Sequence, residues 1–209
     1  MQARPRKCVL VTGFEPFGGE RINPSWEIVR ALPERIGGRR VEKLLVPTEF
    51  GRSVQVAAKA IDRLRPELVL CIGQAGGRSC MSVERVAINV DDARIADNAG
   101  KRPVDERIRR DAPAAHFCTL PVKAMVAAIT RAGIPAEVSN SAGTFVCNHL
   151  IYGVLDHIAG RALAVRAGFM HVPYVEAQVL DKPDTPAMAL ASMVEGAKAA
   201  IMAAIKERK

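Results

Sequence analysis

The chain of 209 residues is long enough to bury one sizeable hydrophobic core and short for two, so we expect a single domain over residues 1–209. Hydrophobic residues make up 49% of it and aromatic residues 4%, which excludes a disordered chain and predicts a core of small aliphatic side chains. The net charge of +8 comes from scattered basic residues without interleaved aromatics, which argues against binding to nucleic acid.

The five cysteines are widely spaced, odd in number and form no Cys-x-x-Cys pair. This is not the pattern of a secreted disulfide framework, and no segment fits a signal peptide or a membrane span. The cysteine and histidine spacing does not fit a zinc site, and neither Gly-rich loop fits a nucleotide-binding motif. We therefore expect a reduced, cytoplasmic protein that uses no metal, no cofactor and no membrane.

The first half of the chain alternates apolar strands with amphipathic helices. Strands are predicted at residues 9–12, 41–46 and 68–72, and helices at residues 24–32 and 51–64. The strands at 9–12 and 68–72 are apolar almost throughout, which is typical of parallel strands buried on both faces. This order predicts an α/β fold with a mainly parallel, partly mixed central sheet.

The second half is less regular, and a polar segment at residues 93–103 interrupts the pattern. Apolar spacing still separates helices from strands along most of it. The predicted elements are a strand at 83–90, a helix at 121–132, a strand at 136–139, a helix from Cys147, a strand at 162–172 and a closing helix at 186–206.

Several loops that follow predicted strands carry side chains suited to chemistry. In sheets of this kind, ligands bind beyond the carboxyl ends of the parallel strands. This rule would bring four residues to one rim, namely Phe14, Gln74, Cys147 and His171. Three of the six phenylalanines also lie in Gly-rich, loop-like stretches, which predicts an aromatic pocket; they are Phe14, Phe17 and Phe145.

Cys147 is predicted to lie in the first turn of a helix, with Thr144 as a candidate cap. The free N–H groups of such a turn stabilise negative charge, so the thiol is expected to have a lowered pKa and to act as a nucleophile. The alternative is an inert core cysteine, because Cys147 shares an apolar stripe with Leu150 and Val154. The first-turn position and the Gly-rich loop before it favour the nucleophile.

His171 ends a predicted strand at the expected rim. It is the best candidate for the general base that takes the thiol proton and later protonates a leaving amine. The alternative is a core histidine before a turn proline. A carboxylate should orient the imidazole, and the pattern alone does not choose among Glu84, Asp91, Asp92 and Asp97.

Six stretches of the chain carry recognisable motifs. Ser141-Ala-Gly-Thr-Phe-Val-Cys-Asn-His149 contains the cysteine and Gly168-Phe-Met-His-Val-Pro173 contains the histidine. Together the stretches closely resemble the pyrrolidone-carboxylate peptidases (pyroglutamyl peptidase type I), a family of cytoplasmic cysteine peptidases. The likeness runs from about residue 9 to residue 174, and its stretches are residues 11–26, 73–78, 84–95, 119–125, 139–149 and 168–174.

The resemblance implies an α/β/α sandwich, commonly assembled as a homotetramer, that removes an N-terminal pyroglutamyl residue from peptides through a thioester acyl-enzyme. It implies that Cys147 is the nucleophile, His171 the base and Glu84 the orienting acid. It also implies that Arg94 lies beside the nucleophile and supports the oxyanion with the backbone N–H of Cys147. The residues implied to contact or approach the pyroglutamyl ring are Phe14, Phe17, Thr48, Gln74 and Phe145.

One position departs from the family pattern. Ala96 stands where a proline is usual, and its loss is expected to loosen the loop after Arg94. Two other functions stay open at this point. One is a phosphorylase-like α/β enzyme acting on nucleosides, based on Gly-rich loops after strands, and the other is a non-catalytic module that binds pyroglutamyl peptides.

Overall fold

The computed structural model of the chain describes residues 6–207. Most of its strands and helices occur in the chain order that the apolar periodicity predicts. The strands are β1 (Arg6–Phe14), β2 (Arg35–Ile36), β3 (Arg39–Val46), β4 (Pro66–Gln74), β5 (Met81–Glu84), β6 (Val86–Ile88), β7 (Ala115–Phe117), β8 (Ala136–Ser139) and β9 (Arg166–Val172). The helices are α1 (Pro24–Ala31), α2 (Arg52–Leu64), α3 (Val122–Arg131), α4 (Val146–Gly160), a 3-10 helix (Glu176–Gln178) and α5 (Leu190–Lys206).

The described strands form one large and one small sheet. The large sheet has the order β2-β3-β1-β4-β9-β5-β8, while β6 and β7 pair separately. Strands β3, β1, β4 and β9 run parallel to one another, and β5 runs antiparallel to β9. This confirms the predicted α/β fold with a mainly parallel, partly mixed sheet.

Both faces of the central sheet are covered by helices. Along β1, Val9 and Val11 belong to one core and Leu10 to the other, because successive side chains of a strand point to opposite faces. The first core contains the buried sides of α1, α3 and α5, and the second those of α2 and α4. The result is a three-layer α/β/α arrangement whose second face carries the site described below.

Some element boundaries differ from the sequence prediction. The strand predicted at residues 83–90 is two strands, because the chain leaves the large sheet at Arg85 and β6 pairs with β7, which the sequence analysis missed. Strand β9 begins at Arg166, since the backbone of Ala162 turns into the left-handed region with φ of 48°. The closing helix begins at Leu190. Periodicity marks a segment as a strand but does not say which partner it joins.

Two features are absent from residues 6–207. No helix in this range is both long and apolar enough to cross a lipid bilayer. The same range contains no group of three or more histidine, cysteine or acidic side chains placed to hold a metal ion.

Candidate active site

A cleft of about 710 Å³ lies beyond the carboxyl ends of β1, β4 and β9. Because these strands are parallel, the loops that follow them meet at one edge of the sheet. One predicted site residue, Glu84, is fully buried and lies outside the cleft lining, where it is bonded to His171. The other eight line the cleft, namely Phe14, Phe17, Thr48, Gln74, Arg94, Phe145, Cys147 and His171.

Cys147 lies in the first turn of α4, as the sequence predicts. The N-cap position is Phe145, and no side chain caps the helix. The predicted Thr144 cap is therefore wrong, since its hydroxyl donates instead to the carbonyl oxygen of Asp92 at 2.7 Å. The sulfur packs against β4, where a Cβ built on Gly73 would lie 2.8 Å from it. The helix thus presents its uncapped first-turn N–H groups beside the thiol.

The expected lowering of the thiol pKa is not found. Burial raises the pKa of Cys147 to about 12, and the nearby charge of Glu84 adds to the effect. A helix terminus contributes only about 1 kcal/mol to the stability of a nearby charge, which desolvation outweighs here. The thiol is therefore neutral at ordinary pH and needs a base to become a nucleophile.

The predicted base, His171, lies on β9. His171 Nδ1 lies 2.8 Å from Glu84 Oε1. The register explains the pair, because Glu84 lies opposite Phe169 across β5 and β9, and Phe169 shares a strand face with His171. Burial lowers the pKa of His171, although Glu84 acts in the opposite direction. A neutral imidazole whose Nδ1 donates to Glu84 keeps its Nε2 lone pair free to accept a proton.

Glu84 is held as a carboxylate. Burial by itself would raise its pKa, but the hydrogen bond from His171 and the positive charge of Arg78 help bring that pKa below its ordinary value. An ionised Glu84 can only accept hydrogen bonds, so it fixes the tautomer in which His171 carries its hydrogen on Nδ1.

Arg78 is a site residue that the sequence analysis missed. Its Nη1 donates to Glu84 Oε1 at 2.8 Å, the same oxygen that His171 contacts, and its Nη2 donates to the carbonyl oxygen of Ser141 at 3.3 Å. The side chain is half-buried and lines the cleft. The available signal was its place at the end of the Gly-rich loop after β4, but periodicity does not pair residues across a loop.

The predicted aromatic residues line the cleft, and one further ring, Phe50, packs against Phe145 from outside the cleft lining. The rings of Phe17 and Phe145 lie 5.9 Å apart, and Phe50 contacts Phe145 edge-on at 5.5 Å. Phe50 was not predicted, since it lies outside the Gly-rich motifs. Thr48 is buried beside this group, and its hydroxyl donates to the carbonyl oxygen of Glu15 at 2.9 Å. The aromatic rings thus give their part of the cleft wall an apolar surface.

His149, two residues after Cys147, has a structural role. The backbone N–H of Gly51 donates to its Nε2 at 2.8 Å, so its hydrogen is on Nδ1, which lies 2.8 Å from Asp91 Oδ2. The ring therefore ties the start of α4 to the start of α2 and to the segment after β6. With a hydrogen bond at each ring nitrogen, this imidazole holds in place the helix that carries Cys147.

The loop that contains Ala96 is well anchored. The buried carboxylate of Asp97 accepts hydrogen bonds from the backbone N–H groups of Phe50, Ala99 and Lys101, at 2.8, 2.9 and 2.8 Å. Asn98 adds a side-chain bond to the carbonyl oxygen of Pro16 at 3.0 Å. The expected loosening of this loop is therefore opposed by several bonds to its neighbours.

Comparison with known proteins agrees with this geometry. The family model described as pyroglutamyl peptidase matches residues 7–207. The chain belongs to this family. The predicted family and enzyme class, a cysteine peptidase, are thereby confirmed.

Relatives and solved structures match the chain along nearly its whole length. Pyrrolidone-carboxylate peptidase 1 of Caldanaerobacter subterraneus is 52% identical over 95% of this chain and 98% of its own. A pyrrolidone-carboxylate peptidase of Streptococcus pyogenes is 54% identical over 94% of this chain and 92% of its own. The crystal structure of Bacillus amyloliquefaciens pyroglutamyl peptidase I superposes with a TM-score of 0.93 at 44% identity, covering 97% of this chain and 98% of that one.

Proposed function

We propose that the chain is a cysteine exopeptidase that removes an N-terminal pyroglutamyl residue from peptides. In this proposal Cys147 is the nucleophile, His171 the general base and Glu84 the carboxylate that orients the imidazole. The observation that carries it is that Cys147 and His171 line one aromatic cleft, with His171 bonded at 2.8 Å to the buried Glu84.

The first half of the reaction forms a thioester. His171 Nε2 takes the thiol proton as the sulfur of Cys147 attacks the carbonyl carbon of the peptide bond that follows the pyroglutamyl ring. The developing oxyanion is stabilised by the backbone N–H of Cys147 and by the guanidinium of Arg94. The C–N bond then breaks, and His171 gives its proton to the leaving amine.

The second half releases the acid. Water attacks the thioester carbonyl carbon while His171 accepts its proton, and the C–S bond then breaks. The sulfur leaves as a thiol after it recovers that proton from His171, and free pyroglutamic acid departs. Glu84 remains ionised throughout and stabilises the imidazolium that forms twice in each cycle.

The chemical character of the cleft suits the ring. Pyroglutamate is a flat, uncharged lactam with no free amine, so it needs apolar faces and a few hydrogen bonds. The rings of Phe17 and Phe145 supply such faces, and Gln74 and Thr48 add polar groups at the wall. Arg94 and Arg78 also line the cleft.

Release of a chromogenic amine from a pyroglutamyl amide tests the proposal. Cys147→Ala and Cys147→Ser should abolish release while thermal unfolding stays cooperative. Cys80→Ala is the matched control, because Cys80 is also half-buried, and it should retain activity. Full activity in Cys147→Ala would overturn the proposal. Phosphate-dependent turnover that resists iodoacetamide would point to a nucleoside phosphorylase, and binding without cleavage to a non-catalytic module.

A further inference from the structure

Gln178 lies outside the predicted site, on the 3-10 helix that follows β9, and its side-chain amide has a defined orientation. Its Oε1 accepts from the backbone N–H of Val175 at 3.3 Å, and its Nε2 donates to Glu20 Oε2 at 3.1 Å. A backbone N–H can only donate and a carboxylate can only accept. These two partners therefore determine which end of the Gln178 amide is oxygen and which is nitrogen.

The orientation of Gln178 determines that of Gln74. Gln178 Nε2 also donates to Gln74 Oε1 at 3.0 Å, and both side chains are buried, with exposed fractions of 5% and 8%. With its oxygen committed to Gln178, Gln74 has its two amide N–H groups left for other partners. Gln74 lines the cleft together with Cys147, so those donors belong to the cleft wall.

We propose that Gln178 is a positioning residue for substrate recognition: it holds the amide oxygen of Gln74, so that Gln74 offers hydrogen-bond donors to the ring carbonyl of the bound pyroglutamyl group. The inference rests on the proposed function. A reversed Gln74 would offer an acceptor and would select the ring N–H instead. The hydrogen bond between Gln178 and Gln74 thus makes the lactam oxygen the group that is recognised. A proline ring has no such oxygen.

A thiolactam analogue separates these two possibilities. Replacing the ring C=O of a pyroglutamyl amide by C=S weakens the acceptor and makes the neighbouring N–H a stronger donor. The wild-type protein should therefore have a higher kcat/KM for the lactam. In Gln178→Met the lactam-to-thiolactam ratio should fall by roughly 3–10-fold, the value of one neutral hydrogen bond. The size of sulfur affects both proteins equally, so it cancels in the ratio.

Lys182→Met is the matched control. Lys182 pairs with Glu20 at 3.0 Å in the same cluster but makes no bond to Gln74. If the cluster had only a structural role, either variant would lower kcat/KM for both substrates by the same factor, and the lactam-to-thiolactam ratio would stay unchanged. The loss in Gln178→Met should appear mainly as a higher KM for the lactam, because the ring carbonyl is not the reacting group.

Several outcomes would overturn the inference. An unchanged ratio in Gln178→Met, or a wild-type preference for the thiolactam, would show that Gln74 does not donate to the ring oxygen. If Gln178→Met does not unfold cooperatively, Gln178→Leu decides, since its side chain has no N–H to hold the amide oxygen of Gln74 and should lower the ratio in the same way. Lack of any wild-type turnover of the lactam would instead overturn the proposed function itself.

Discussion

Gly73 lies so close to Cys147 that a Cβ on this glycine would be 2.8 Å from the sulfur and 2.6 Å from Phe169 Cζ. Neither neighbour can move away freely, because Phe169 is fully buried and Cys147 belongs to the first turn of α4. The absence of a side chain on β4 therefore creates the space in which the thiol sits.

Gly73→Ala should displace the thiol and lower kcat by at least about tenfold, since small misplacements of a nucleophile are costly. The measurements are amine release and the rate of alkylation by iodoacetamide. Gly160→Ala is the control, because a Cβ there meets nothing within 4 Å. It should leave kcat unchanged. Equal kcat values in the two variants would contradict this account of Gly73.

The pH profile of kcat/KM should report the ionisation of His171. Only the neutral imidazole can take the thiol proton, and burial lowers the pKa of His171 from 6.5. Activity should therefore rise with pH around a midpoint below 6.5. The thiol adds no second rise near neutral pH, because the pKa of Cys147 is about 12.

Glu84→Gln should move that midpoint to lower pH. The hydrogen bond and charge of Glu84 raise the pKa of His171, so their removal lets burial lower it further. The maximal rate should also fall, by up to about 10⁴-fold, since the imidazole loses its fixed tautomer. A midpoint that stays in place in this variant would argue against the role of Glu84.

Arg78→Met should move the midpoint in the opposite direction. The positive charge of Arg78 lowers the pKa of His171 and of Glu84, so its loss should raise both. Arg78→Lys, which keeps the charge, should recover part of the wild-type profile. Arg85→Met provides the control, as Arg85 is next to Glu84 in sequence but lines a different cleft. An identical pH profile for Arg78→Met and the wild type would show that the charge of Arg78 does not act on the pKa of His171.

Asp97→Ala should loosen the loop that carries Arg94. Its carboxylate accepts from three backbone N–H groups, so the free energy of unfolding should fall by roughly 2–4 kcal/mol. KM should rise because Arg94 lines the cleft. Urea unfolding and amine-release kinetics measure the two effects. The exposed Asp111→Ala variant should stay within about 0.5 kcal/mol of the wild type, and a similar result for Asp97→Ala would refute the anchoring role.

Local motifs carried most of what could be predicted. The continuous apolar strands and Gly-rich loops predict the α/β class correctly, and the motif around Cys147 places it correctly in a first helical turn. The rule that ligands bind beyond parallel strands brings Gln74, Cys147 and His171 to one cleft, as found. The single domain, the cytoplasmic location and the homotetramer stay predictions.

The prediction failed where distant segments interact. The split of residues 83–90 depends on a partner strand, β7, whose three residues are too few to show a periodic pattern. The helix that carries Cys147 would by itself lower the pKa of the thiol, whereas burial by the surrounding fold raises it. Arg78 and Gln178 act through contacts with Glu84 and Gln74 that no periodicity encodes.

The sequence by itself determined the order of strands and helices, the family and the side chains available for chemistry, because these depend on residue type and spacing along the chain. Only the tertiary structure decided how those side chains act together. The antiparallel register of β5 against β9 joins Glu84 to His171, and desolvation raises the pKa of the Cys147 thiol. Register and burial arise from contacts between segments far apart in the chain, and they determine protonation and orientation in the cleft.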